Sequence, residues 1–157
     1  MPLPGDELVP TPAIDATWAV TVDAPVTDVW PWLAQVGQDR GGFYSYETLE
    51  NLAGCEMRNA DHIHAEWQHR EVGDLVMLTP AVGIPVARFE PNRALVLDGW
   101  GSFVLEPIDD RRTRLLSRSR IPRGSVAWSY ALLLEIPHFV MQRKMLLGIK
   151  QRAERKA

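Results

Sequence analysis

Between residues 17 and 23 apolar and polar positions alternate one by one, with Trp18, Val20 and Val22 on one face and Ala19, Thr21 and Asp23 on the other. That is the period of a half-buried strand. At Ala24-Pro25 the period changes. Val26, Val29, Trp30, Leu33 and Val36 recur at helical spacing, with Pro25 in the first turn, Pro31 bending the helix and Gly37 ending it. After a loop at 38–42, Ser45 is placed to cap a short second helix over 46–53 that Gly54 closes. Residues 55–74 show no clear period. Five strand-like runs follow at 75–78, 84–90, 94–99, 102–107 and 113–121, separated by short Pro-, Gly-, Asn- and Asp-bearing turns. This pattern predicts an antiparallel meander. In its last strand Leu115, Ser117 and Ser119 share one face, and Arg112, Arg114, Arg118 and Arg120 share the other with Leu116. One side of the sheet is therefore expected to be wet and the other to meet an apolar partner.

That partner is the run 125–156, the longest helical pattern in the chain. Val126, Tyr130, Leu133, Leu134, Met141, Met145 and Ile149 form one stripe, and Leu132, Phe139, Val140, Leu146 and Leu147 widen it, so the helix is expected to be covered on more than one side. Lys150, Arg152, Arg155 and Lys156 favour the negative end of its dipole. Pro137 has no N–H for the carbonyl of Leu133, which predicts a kink at Ile136; the other reading is two helices meeting there. At the opposite end Pro2, Pro4, Pro10 and Pro12 make residues 1–13 an extended arm beside a single domain over 14–157.

Composition narrows the function classes. The 157 residues are 46% hydrophobic and 24% charged with a net charge of −3, so no basic field draws the chain to nucleic acid or an anionic membrane. A single cysteine, Cys55, allows no internal disulfide framework. The first twelve residues have neither a basic start nor an apolar core, and no apolar run approaches the ~18 residues of a membrane span. A soluble cytoplasmic protein without stable membrane insertion is expected, its oligomeric state open.

The order strand, two short helices, meander, long helix resembles the START-like helix-grip superfamily, also called SRPBCC, which includes polyketide cyclases and lipid-transfer domains. The most familiar local sign is Val22-Asp23-Ala24-Pro25-Val26-Thr27-Asp28-Val29-Trp30, which looks like that superfamily's strand-to-helix opening. A second stretch, from Trp32-Leu33-Ala34-Gln35-Val36-Gly37 through Arg40-Gly41-Gly42-Phe43-Tyr44-Ser45-Tyr46 and Leu49-Glu50-Asn51 to Asn59-Ala60 and Glu66-Trp67-Gln68, is similar to a bacterial subgroup of it. The resemblance covers residues 16–155 and implies an α+β fold, a curved antiparallel sheet wrapped around the C-terminal helix. A cavity between them is implied by the likeness, not by periodicity.

Six tryptophans are many for this length, and Trp30, Trp67, Trp100 and Trp128 with Phe103, Met141 and Met145 suit an apolar ligand. Plain core packing is the competing reading for each. Arg40-Gly41-Gly42 offers a guanidinium beside two flexible N–H groups for an anion, or a structural corner with Arg40 paired to Glu47 or Glu50. Glu50, next to Asn51, would act as a general acid or base if it faces an apolar cavity, with Tyr44 and Tyr46 donating to an enolate oxygen. His138 reaches the cavity or satisfies a carbonyl freed by the kink. Asn59, Trp67 and Gln68 read as a rim, and Arg88 as an anion anchor or an outer pair with Glu90. His62, His64 and His69 with Asp61 and Glu66 contain enough zinc ligands, yet no Cys pair or His-Glu-x-x-His accompanies them, so no metal is expected. No nucleotide motif appears and no cofactor is expected. The leading expectation is a carrier of a small hydrophobic or aromatic molecule, lipid or polyketide-like. The alternatives are a cyclase- or dehydratase-like enzyme and a partner-binding domain with a filled interior.

Overall fold

A computed structural model describes residues 1–52, 54–125 and 135–155, the side chains of residues 49 and 135–139 excepted. Among these residues lie six strands, β1 (Ile14–Val22), β2 (Leu75–Met77), β3 (Gly83–Glu90), β4 (Ala94–Leu97), β5 (Gly101–Asp109) and β6 (Arg112–Ile121). Three α-helices accompany them, α1 (Val26–Ala34), α2 (Glu47–Leu52) and α3 (Glu135–Ala153). The strands form one antiparallel sheet in the order β1-β6-β5-β4-β3-β2, so the meander runs across it and β1 returns to pair with the last strand. This is the α+β helix-grip arrangement that the element order implies.

Alternation along the strands sorts the sheet into two faces. Leu95, Leu97, Phe103, Leu105 and Leu115 point to the side of α1 and α3 and join Val29, Leu33, Met145, Leu146 and Ile149 in the main core. The other face is drier than the arginine row suggests. Leu3 from the N-terminal arm packs with Ala94, Val104 and Leu116, and the 3-10 turn Asp6–Leu8 sets Asp6 against Arg118, with Nε–Oδ1 at 3.0 Å. Gly5 supports that approach with φ 95°, since a Cβ there would lie 2.5 Å from a methyl of Val96. Thus the wet face expected from Arg118 and Arg120 is partly roofed, because acidic residues of the arm neutralise the guanidinium ends while apolar ones cover the strands.

Three further expectations change. Ser45 does not cap α2; its hydroxyl donates to the carbonyl of Met141 on α3 at 3.2 Å, tying the two helices' surroundings together. Val140 and Leu147 are exposed, so one edge of the widened apolar stripe of α3 faces solvent, while the sheet, α1 and the Tyr44 segment cover the rest of it. In β3 the register shifts between Val86 and Arg88, a bulge at Ala87 that turns Phe89 inward and Arg88 outward. The kink or break at Pro137 depends on residues 126–134, which lie outside the described residues, as does Trp128. Pro137 itself sits in the first turn of the described helix.

Candidate functional site

Where α3 crosses the sheet, a hollow of about 110 Å³ is left. The sheet side supplies Leu97, Trp100, Phe103 and Leu78, and α3 supplies Met141, Gln142 and Met145. The segment around α2 closes it with Phe43, Ser45, Glu50, Cys55 and Met57. An apolar cavity of about 150 Å³ is enough to take benzene. This one is somewhat smaller, so an occupant the size of a single ring or larger requires the walls to give way.

On either side of α2 the described wall segments, 43–46 and 54–59, are irregular backbone, and polar side chains hold them in place. Tyr44 adopts a left-handed conformation with φ 55°. Its N–H donates to Asn59 Oδ1 at 2.9 Å and its hydroxyl to the carbonyl of Trp32 at 2.8 Å. Asn59 Nδ2 donates to the carbonyl of Ser45 at 3.1 Å. Asn51 Nδ2 donates to the carbonyl of Met57 at 2.9 Å, and the Met57 N–H donates back to Asn51 Oδ1. These clamps leave α2 facing the hollow with Glu50.

Glu50 is the chemical centre of the wall. It is only 4% exposed, and its Oε2 has no hydrogen-bond partner among the described residues. Burial, reinforced by the nearby Glu47 carboxylate, pushes its carboxyl up to about 7. The Cys55 thiol is raised as well, by its own burial and then by Glu50, which keeps it a protonated, weakly nucleophilic group. Because the folded state holds Glu50's proton to higher pH than the unfolded chain, folding stability from this group is fullest below about pH 4.5. It is lost as pH rises through about 7, by up to about 3 kcal/mol. Glu50→Gln should flatten that decline in a series of urea denaturations from acid to weakly alkaline pH; an unchanged slope would mean that Glu50 is hydrated or paired in solution.

The remaining candidates are placed elsewhere. Trp30 is core, its ring 5.1 Å from Phe89. Arg40 pairs with neither Glu47 nor Glu50 among the described ion pairs; its Nη1 donates to the carbonyls of Trp67 and His69 at 3.1 and 3.0 Å, so it braces the loop. Gln68 Nε2 donates to the carbonyl of Pro31 at 3.1 Å, and Trp67 stacks on His64 at 3.9 Å. Neither reaches the hollow. Tyr46 is exposed beneath the Lys144 ammonium, 5.6 Å from the ring centre. Arg88, turned outward by the bulge, pairs with Glu7 of the arm and Glu90. His138 lies in the first turn of α3, its side chain outside the described residues. Among the described residues no group of three or more His, Cys, Asp or Glu is disposed to hold a metal.

Trp100, Phe103, Met141, Met145 and Glu50 thus meet at one place, joined by residues that sequence reasoning did not single out: Phe43, Cys55, Met57, Leu97 and Gln142. A wider groove of about 1370 Å³ opens near Asp28, Asp109, Arg112 and Glu154. Its charges face each other, with Arg112 Nη2 2.7 Å from Asp109 Oδ2, so the smaller, mainly apolar hollow is the better candidate.

No family model and no curated protein matches the chain. Solved structures do. A solution structure from Bacillus halodurans is 20% identical, with 92% of this chain and 99% of that one covered and a TM-score of 0.50. A crystal structure from Staphylococcus saprophyticus is 18% identical over 87% of this chain and 89% of that one, also at 0.50. The Zhui aromatase/cyclase of a Streptomyces species is 14% identical over 90% and 94%, at 0.41. The likeness is one of fold, the α+β helix-grip arrangement described above. Among the described residues no helix is long and apolar enough to cross a membrane.

Proposed function

We propose that this helix-grip chain binds a small, largely apolar or aromatic molecule, lipid or polyketide-like, in the hollow between α3 and the sheet, with Glu50 as its polar contact. The observation that carries this reading is the buried, unpartnered Oε2 of Glu50, a residue only 4% exposed, set in a wall of Phe, Trp, Leu and Met. An acid left in such a place without a partner is costly unless something else completes its hydrogen bonding. The aromatic and thioether groups supply contact area, and Met side chains adapt to an occupant's shape.

The methionines provide the test. Met57, Met141 and Met145 line the hollow, whereas Met1 is exposed at the arm and Met77 lies on β2 outside it. With methyl-labelled methionine, a ring-sized probe such as indole should shift the first three resonances and leave the other two in place. Binding that moves none of those three would place the ligand elsewhere and overturn the reading. Native mass spectrometry of freshly purified protein then gives the mass of any retained occupant.

A second reading is acid–base catalysis on such a molecule, in the manner of a polyketide cyclase. The same carboxyl favours it, because a group titrating near 7 is divided between acid and base at neutral pH. On this reading Glu50→Gln abolishes turnover while binding stays within about threefold.

A further inference from the structure

The charge of the wall restricts the occupant's polar end. No Lys, Arg or His is among the described residues that line the hollow; its ionisable groups are Glu50 and Cys55, both neutral or negative. The undescribed segment 126–134 contains no basic residue either, and His138, in the first turn of α3, has its side chain outside the described residues. Nearby cations are engaged elsewhere. Arg40 braces the carbonyls of Trp67 and His69, Arg152 donates to the carbonyl of Ala60 under the Tyr44 ring, and Lys150 pairs with Glu154. Around Glu50, α2 presents Glu47 and the following loop Cys55, while the described part of α3 presents Met141, Gln142 and Met145 and the sheet presents Leu97, Trp100 and Phe103.

Resting on the cavity reading above, we propose that the ligand is an apolar amine whose ammonium sits against Glu50 Oε2, and that the hollow discriminates against carboxylates and phosphates. Three features converge on a cation: a buried carboxyl oxygen with no partner, the aromatic rings of Phe43, Trp100 and Phe103 in the lining, and no Lys, Arg or His among the described lining residues. An ammonium supplies the donors Glu50 lacks and compensates its desolvation. A carboxylate ligand would face Glu50 with no counter-charge, which costs affinity at every pH where Glu50 is ionised.

The matched probes 2-phenylethylamine, 2-phenylethanol and phenylacetate share one ring and differ in charge. By calorimetry at weakly alkaline pH the amine should bind at least about tenfold more tightly than phenylacetate, with the alcohol between them. The amine's advantage should shrink as pH falls through about 7 and Glu50 protonates, although an alkylamine remains cationic over that range. At pH near 7, amine binding should release about half a proton, seen as a dependence of the binding heat on buffer ionisation. Glu50→Gln should erase the preference of the amine over phenylacetate. If that variant does not fold, the pH dependence and proton release of the native chain decide alone. Phenylacetate binding as well as the amine, with Met141 and Met145 methyl shifts, would overturn the cation proposal and keep the cavity. Failure of all three probes to shift those methyls would overturn the cavity reading and this proposal with it.

Discussion

Arg70→Met is expected to unfold the protein at much lower denaturant, losing about 3–5 kcal/mol. Arg70 is 2% exposed. Its Nε donates to the carbonyl of Ala34 at 3.1 Å, Nη2 donates to that of Val36, and Nη1 reaches Leu75 at 3.4 Å. It therefore joins the end of α1 to the start of β2, where Pro85 stands opposite Leu75 without an N–H to offer. Burial, and then Arg40, lower its guanidinium to about 10, still charged at neutral pH. Methionine keeps most of the side chain's volume and removes every donor, so two buried carbonyls, of Ala34 and Val36, lose this partner, at about 1–3 kcal/mol each before relaxation, and the part-buried one of Leu75 loses it as well. Urea denaturation with coincident fluorescence and circular dichroism checks it. A loss below about 1 kcal/mol would show that water replaces the guanidinium.

The second large effect is Gly148→Ala. In an ordinary helix interior this change is worth up to about 1 kcal/mol of added stability. Here the expected result is the reverse, a loss of about 2–3 kcal/mol and a midpoint lower by about 5–10 °C. A Cβ at 148 would lie 2.2 Å from the carbonyl oxygen of Tyr44 and 2.7 Å from its Cβ. Tyr44 cannot retreat cheaply, because its N–H is held by Asn59 and its hydroxyl by the carbonyl of Trp32. The helix must move instead, taking Met145 and Met141 away from the hollow. Scanning calorimetry reads the effect, and a midpoint at or above the native one would show that the wall segment is softer than its hydrogen bonds imply.

Much of the fold was readable because regular periods dominate it. The β1 alternation and the five meander runs follow directly from side chains that repeat every second residue. What alternation could not reveal was a change of phase. Apolar residues stand at Ile84, Val86 and then Phe89, and that extra step is the trace of the bulge. The site was readable only at its regular walls, Phe103 on β5 and Met141 and Met145 on α3, together with Trp100 in the turn before β5 and Glu50 on α2. Cys55 and Met57 lie on aperiodic backbone, with Glu56 at φ 51° between them, so no spacing rule points at their side chains. Arg40, Tyr44, Asn51, Asn59 and Gln68 carry the polar groups expected of a ligand site, yet all five face backbone carbonyls or N–H groups. A donor aimed at a ligand and a donor aimed at a loop have the same one-letter code.

The irregularity in β3 gives that strand an unusual tolerance. Ordinarily, removing one residue from a strand sends every later side chain to the opposite surface. Val86 stands opposite Leu97 and Arg88 opposite Val96, so Ala87 has no cross-strand position of its own. Excising Ala87 would straighten the ribbon while Arg88 and Phe89 kept their present neighbours across the ladder. Chains that differ by one residue at this point can therefore share the same interior.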